Sequence, residues 1–355
     1  MKFFNIDQHV SVIADIAYIF KNLGHEVDDW SLSGHSWVLN KPKPKIMLSD
    51  GTQLTCSGVC TQDVCDKFYE QNKNELSKYD GFIACYPTEF SLLYERFNKP
   101  IIVVNCIRYD HPVTFNPSLR DRLNEFLKRK VSEGKLYYVC NNKGDLWYTQ
   151  YFIGIQGMHI PSLCEYTNAK YTGGKDQYVI HDRSEITVPG NLCISLGAVR
   201  NANWKYSWQD LYSYKGVVHV PYHQSLMSAF EQYTANVPLF FPSKKFVKEL
   251  YYQNKAFADL TFYKISKTKE PEDLNNPNSL RNPEILDKWI DTADFYETEN
   301  MKYLQYFDTV QHLTHLLKTV NTKEVSQNMA AYNVLRKESI YARWQEILTS
   351  IKSSI

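Results

Sequence analysis

One stretch of the chain concentrates residue types able to hold an anion and a diol: Pro221-Tyr-His-Gln-Ser225-Leu-Met-Ser228-Ala-Phe-Glu231-Gln-Tyr-Thr-Ala-Asn-Val-Pro238-Leu-Phe-Phe-Pro-Ser243. The pattern predicts a strand ending at Pro221, a helix, and a second strand beginning at Pro238. A helix that starts directly after a strand offers unpaired backbone N–H groups and the positive end of its dipole, and together these bind phosphate. Ser225 and Ser228 are three residues apart, a spacing that lets both hydroxyls face one anion, with Tyr222 and His223 in the same turn. Glu231 lies one helical step further and can accept hydrogen bonds from a vicinal diol, as acidic residues do for ribose in nucleotide-binding folds. Taken singly, Glu231 reads as a solvated helix residue and the serines as caps. Their joint placement at a strand-to-helix junction favours the binding reading.

Here the sequence resembles the donor-binding half of GT-B glycosyltransferases. The signature of that family places Glu at the head of Glu-Ala-x-Ala-x-Gly-x-Pro just before a strand. The matching run is Glu231-Gln-Tyr-Thr-Ala235-Asn-Val-Pro238, which keeps Glu, the second Ala and Pro but has Asn236 where Gly is usual. Many retaining members carry an acidic residue eight positions before the Glu, and this chain has His223 there. The resemblance implies an α/β protein of two Rossmann-like domains facing a central cleft that binds a nucleotide-sugar, UDP- or GDP-linked, with no separate cofactor. It implies transfer of the sugar, with inversion, to a hydroxyl of a glycan or glycoprotein acceptor. Two alternatives are epimerisation of a nucleotide-sugar by the same fold and a non-catalytic protein that holds a glycan or partner with its aromatics.

Metal-dependent enzymes of the GT-A type hold a diphosphate through Asp-x-Asp and a divalent cation, and no Asp-x-Asp occurs in this chain. A metal-independent enzyme neutralises the leaving diphosphate with Arg, Lys and helix N-termini. Arg200 and Lys205, after the first strand of the second half, stand where GT-B relatives often supply a basic pair; a solvated turn is the alternative. Inversion requires a base for the acceptor hydroxyl. The loop after the first strand holds Asp7, Gln8 and His9, at the carboxyl edge where open parallel sheets bind ligands. Either Asp7 or His9 could serve, or Asp7 could orient His9, against the plainer readings of a capping Asp and an exposed His. Asp110-His111 follow another strand, Glu89 opens a helix, Asn141 to Asp145 reads as a turn with an N-cap, and His159 and His181 lie near a connector.

These groups must be positioned by alternating strands and helices, which predict parallel sheets covered by helices. Lys2 to Ile6, His25 to Leu32, Gly81 to Cys85, Ile101 to Cys106 and Lys135 to Cys140 read as strands. Helices are expected from Val10 with Gly24 past its end, over Glu89 to Phe97, and from Pro117 with Asn116 as cap. Gly154 to Asn191 is turn-rich and reads as an interdomain connection. Strands follow at Leu192 to Leu196, Gly216 to Val220 and Val237 to Phe241, a helix at Leu226 to Ala235, and a Ser243-capped helix to Gln253. Residues 268 to 284 read as an exposed loop, and Leu304, Phe307, Val310, Leu313, Leu316 and Leu317 as one helical stripe. The expected division is an acceptor-side domain over 1–185, a nucleotide-sugar domain over 186–300, and helices over 301–355 packing across both.

The 355-residue length suits two domains, and 43% hydrophobic with 22% charged residues excludes wholesale disorder. The 26 Tyr and 7 Trp suit surfaces that grip sugars or bases. A net charge of +1 offers no field for a nucleic acid, which counts against glucosylation of DNA bases. No run of about 18 apolar residues and no signal peptide is visible, so a cytoplasmic protein without integral membrane contact is expected. Eight cysteines sit mostly in apolar segments, as reduced thiols do, and Cys56, Cys60 and Cys65 lack the spacing of a zinc site. The Tyr-, Asn- and Lys-rich composition also resembles proteins of large DNA viruses or AT-rich microbes.

Overall fold

A computed structural model describes residues 1–35, 39, 46–54, 59–182, 198–200, 207–261, 264 and 268–354, with the Arg200 side chain excluded. The chain divides into two compact units: Met1–Ser162 with Ser339–Ile355, and Leu163–Glu338. Their elements follow the alternation of the sequence.

In the first unit the strands are β1 (Lys2–Asn5), β2 (Glu26–Asp29), β3 (Gly81–Ala84), β4 (Ile101–Asn105), β5 (Leu136–Cys140) and β6 (Met158–His159). They form one sheet in the order β2-β1-β3-β4-β5-β6, with every pair parallel. Helices α1 (Val10–Asn22), α2 (Gln62–Leu76), α3 (Pro117–Ser132) and α4 (Lys143–Ile153) connect them. The β3–β4 connection, expected as a helix, is the tighter 3-10 form over Thr88–Phe97. Both β3 and β4 are buried along their whole length, which accounts for their uninterrupted apolar runs. Start signals act as expected: the Asn116 side chain accepts the Leu119 N–H with Pro117 in the first turn of α3, and Gly24 follows α1 at φ 81°.

The second unit holds β7 (Tyr178–Asp182), β8 (Ala198–Arg200), α5 (Trp208–Leu211), β9 (Val217–Val220), α6 (Met227–Thr234), β10 (Leu239–Pro242), α7 (Lys244–Tyr252), α8 (Pro283–Asp291), β11 (Gln305–Phe307) and α9 (Val310–Thr319). Its sheet runs β11-β10-β9-β7-β8, again parallel throughout. The final helix α10 (Thr322–Ser354) gives residues up to Glu338 to this unit and those from Ser339 to the first.

Two expectations change. The connector Gly154 to Asn191 contains β6 and also β7, an internal strand whose apolar core Tyr178-Val-Ile is only three residues long and follows Gly173-Gly174, so turn signals mask it. The stripe from Leu304 to Leu317 is helical only from Val310. Phe307 ends β11, Thr309 caps α9 by accepting the His312 N–H, and Phe307 still packs with Leu313 and Leu317. The strand expected at Leu192 to Leu196 lies outside the described residues.

Gly81 and Gly216 hold equivalent places, each at the start of a strand beside a Pro carbonyl that precedes the next. A Cβ on Gly81 would lie 2.9 Å from the Pro100 oxygen and 3.0 Å from the Phe3 ring; on Gly216, 2.8 Å from the Pro238 oxygen and 3.0 Å from the Phe240 ring. Gly216→Ala and Gly81→Ala should each destabilise by about 1–3 kcal/mol, read as a lowered urea midpoint; unchanged midpoints would show that the backbone gives way freely.

Candidate functional site

In both sheets the strand order reverses beside the first strand of the unit. β1 lies between β2 and β3, and β7 between β8 and β9. Connections there diverge to opposite sides, opening a crevice at the carboxyl ends where open α/β sheets bind ligands.

In the first unit that crevice lies between the loops after β1 and β3. The Gln8 N–H donates to the Tyr86 carbonyl at 2.6 Å and ties the two loops together. Asp7 is fully buried and its Oδ2 accepts the His9 backbone N–H at 3.2 Å, so it caps the loop and not the ring. Burial first, then the charge of Asp29, pushes the Asp7 carboxyl up to about 8, against hydrogen bonds from Ser31, the His9 amide and Asn5. His9 is the N-cap of α1 without a capping side-chain bond and is half-buried; burial lowers its imidazole to about 4. Burial thus favours the protonated carboxyl of Asp7 and the neutral imidazole of His9.

Next along the edge, the Tyr86 hydroxyl and His111 Nδ1 are 2.7 Å apart, with the rings stacked at 5.6 Å. Burial and then the Arg108 charge lower His111 to about 4, while burial raises Asp110 to about 6. Arg108 is itself fully buried. Glu89, also fully buried, accepts the Cys60 N–H at 2.6 Å. The Asn142 side chain caps α4 by accepting the Asp145 N–H at 2.7 Å, as the turn expected over Asn141 to Asp145 requires. His159, at the end of β6, is lowered to about 4, chiefly by burial.

In the second unit the loop after β9 is pinned at three carbonyls. Pro221 accepts the Phe257 N–H at 2.8 Å, Tyr222 the Asp259 N–H at 2.9 Å, and Gln224 the Asp294 N–H at 3.1 Å. His223 is buried, its Nδ1 3.3 Å from the Ser225 N–H and 3.2 Å from its carbonyl. α6 begins at Met227 with Leu226 as an N-cap that has no side-chain bond. Ser225 thus lies in the loop before the helix and Ser228 in its first turn. Glu231, 6% exposed, shares a helix face with Ser228 at a spacing of three. Its carboxylate accepts from the Tyr166 hydroxyl and from the Trp208 indole N–H at 3.1 Å, and the two rings meet edge to face at 5.6 Å. His181 and His219, on neighbouring strands, stand 5.3 Å apart, and burial and then His181 lower His219 to about 3.

The structure thus gathers Tyr222, His223, Ser225, Ser228 and Glu231 in one loop and helix, and Asp7, His9, Glu89, Asp110 and His111 along one edge. Lys205 and the Arg200 side chain lie outside the described residues. Tyr166 and Trp208 escaped the sequence reading: they lie in a turn-rich segment and a one-turn helix, and only the general aromatic excess pointed to them. Among the described residues, no group of three or more His, Cys, Asp or Glu could hold a metal ion, and no helix is long and apolar enough to cross a membrane.

No protein-family model and no curated protein sequence matches the chain. Among solved structures, Glycyrrhiza uralensis UGT73P12 complexed with glycyrrhetinic acid 3-O-monoglucuronide is similar over 99% of this chain and 96% of that one, with 11% identity and a TM-score of 0.50. The glycosyltransferase SnogD from Streptomyces nogalater is similar over 94% of this chain and 95% of its own, with 9% identity and a TM-score of 0.44. The fold, two parallel sheets flanked by helices with a long C-terminal helix, is that of the GT-B glycosyltransferases. Nothing in these comparisons supports an origin in a large DNA virus or an AT-rich microbe.

Two outcomes follow from burial at the two sheets. The His9, His111, His159 and His219 ring protons should keep neutral-imidazole shifts in NMR spectra down to about pH 5, and titration of any of them near 6.5 would contradict its burial. Asp7 has a native pKa above its unfolded value, so its favourable contribution is present at low pH and is lost as pH rises from about 4 to about 8. Asp7→Asn cannot ionise, so its urea midpoint relative to wild type should climb between pH 5 and pH 8. A constant gap would show Asp7 to be ionised throughout.

Proposed function

We propose that the protein transfers a sugar from a nucleoside diphosphate sugar to a hydroxyl acceptor, the second unit holding the donor and the first activating the acceptor. The observation that carries this reading is Glu231: a buried carboxylate kept in place by two aromatic donors, one helical step from an uncapped helix start at the switch point of its sheet. A ribose diol donates to a carboxylate so held, and a diphosphate then reaches the Met227 and Ser228 end of α6. Tyr222, His223 and Ser225 line the same turn, and His223 and the helix end take up negative charge as the diphosphate leaves. Arg200 and Lys205 remain candidates for the same task. UDP- or GDP-linked sugars are the expected donors, without a bound cofactor or metal.

The same reading makes His9 the base. A base for an acceptor hydroxyl needs an open lone pair at neutral pH, which the neutral and half-buried imidazole has. Asp7, fully buried and raised to about 8, serves better as the group that fixes the backbone of His9. The outcome at the anomeric carbon is inversion, with the hydroxyl oxygen attacking as the diphosphate departs. The acceptor is a glycan or glycoprotein hydroxyl, and the reaction is cytoplasmic.

A thermal-shift screen over UDP-, GDP-, dTDP- and CMP-linked sugars should give one selective stabilisation by mass action. Glu231→Ala should weaken that donor about 10- to 100-fold, the worth of charge-assisted hydrogen bonds of about 1.5–3 kcal/mol. His9→Ala should leave donor binding intact and cut turnover about 100- to 10,000-fold. No shift with any donor would overturn the reading. Turnover without acceptor would favour an epimerase, and glycan binding without donor binding would favour a non-catalytic protein.

A further inference from the structure

The first unit carries a second reactive constellation, built from two thiols and a guanidinium. Cys60 directly precedes Thr61, the N-cap of α2, whose side chain accepts the Val64 N–H. Cys65 lies in the turn that follows, its N–H donating to the Thr61 carbonyl at 3.0 Å. Helical side chains lean towards the N-terminus, so the Cys65 thiol leans back over Cys60. Its Sγ donates to the Cys60 carbonyl oxygen at 3.6 Å. Arg122 reaches in from α3: its Nη1 donates to the Cys60 carbonyl at 2.5 Å and to Cys65 Sγ at 3.6 Å, while Nη2 pairs with Glu95 at 3.3 Å.

The two sulfurs are unequal. The Cys60 hydrogen bond, then the Arg122 cation, holds the Cys65 thiol below its ordinary value, whereas burial, Cys65 and the Glu89 charge push Cys60 up. Cys85, Cys106 and Cys140 are raised by burial. A thiol favoured towards its thiolate beside a guanidinium, five residues from a thiol that favours its proton, is the arrangement of an attacking and a resolving cysteine.

We propose that Cys60 and Cys65 are a peroxide-reactive pair that closes to a disulfide. The Cys65 thiolate attacks one oxygen of hydrogen peroxide; the S–O bond forms as the O–O bond breaks, and the hydroxide released is protonated to water. Cys65 is then a sulfenic acid. Cys60 gives up its proton and its sulfur attacks Cys65; the S–S bond forms, the S–O bond breaks, and a second water leaves. Two thiols are oxidised and one peroxide is reduced to two waters. Because the Cys60 N–H also holds the buried Glu89, the pair is tied to the Thr88–Phe97 segment behind Tyr86.

The test uses the full, reduced chain in a Cys56→Ser background, exposed to hydrogen peroxide, then denatured, alkylated and mapped by mass spectrometry. The peptide containing Cys60 and Cys65 should lose two hydrogens and resist alkylation, while Cys85, Cys106 and Cys140 remain alkylated. Cys60→Ser should instead give a dimedone adduct at Cys65, and Arg122→Gln should slow oxidation about tenfold. Alkylation of Cys60 and Cys65 to the same extent as Cys85 and Cys140, or Cys60→Ser giving no dimedone adduct, would overturn the proposal. Thermal melts of each variant separate slowed chemistry from lost folding.

Discussion

Parallel strand pairing with a reversal of order beside the first strand governs much else in this molecule. A strand paired in parallel on both sides must be covered by helices, so every crossing of the sheet returns over one face or the other. Where successive crossings part, at β1/β3 in one unit and β7/β9 in the other, the carboxyl ends open onto the loops that follow the strands. The Gln8–Tyr86 bond holds one such crevice, and the three pinned carbonyls of Pro221, Tyr222 and Gln224 hold the other. The chemistry-bearing residues are therefore on short, fixed loops rather than on free ones.

Burial then decides what those residues can do. At the first-unit edge Asp7, Glu89, Asp110 and Asp145 are nearly or fully removed from water. Desolvation penalises the charged form, so Asp7 and Asp110 retain protons towards neutrality while His9 and His111 lose theirs. The same penalty that keeps an imidazole neutral leaves its lone pair open to a hydroxyl. In the second unit the buried carboxylate of Glu231 is held by directional donors, the Tyr166 hydroxyl and the Trp208 indole N–H.

Much of this could be read from the residues. Asn116-Pro117 and Ser243 announced helix starts because caps act locally, and the buried strands Gly81–Ala84 and Ile101–Asn105 announced themselves as apolar runs. Ser228 and Glu231 could be placed on one helix face because helical spacing is a local rule. β7 and β11 were hidden, since strands of five and three residues beside turn residues carry little periodicity. The partners of Glu231 were hidden for another reason. Tyr166 and Trp208 reach it from 65 and 23 residues away, and only the folded sheet brings them together. Likewise the choice between Asp7 and His9 depends on burial, which sequence spacing does not carry.

Glu231 as the ribose anchor of a nucleoside diphosphate is tested most directly by a crystal structure of the full chain soaked with UDP and GDP. The predicted result is one of them bound with its ribose hydroxyls within about 3 Å of the Glu231 carboxylate and its diphosphate at the Met227–Ser228 end of α6. A nucleotide bound with its ribose away from Glu231, or no nucleotide bound at saturating concentration, would contradict it.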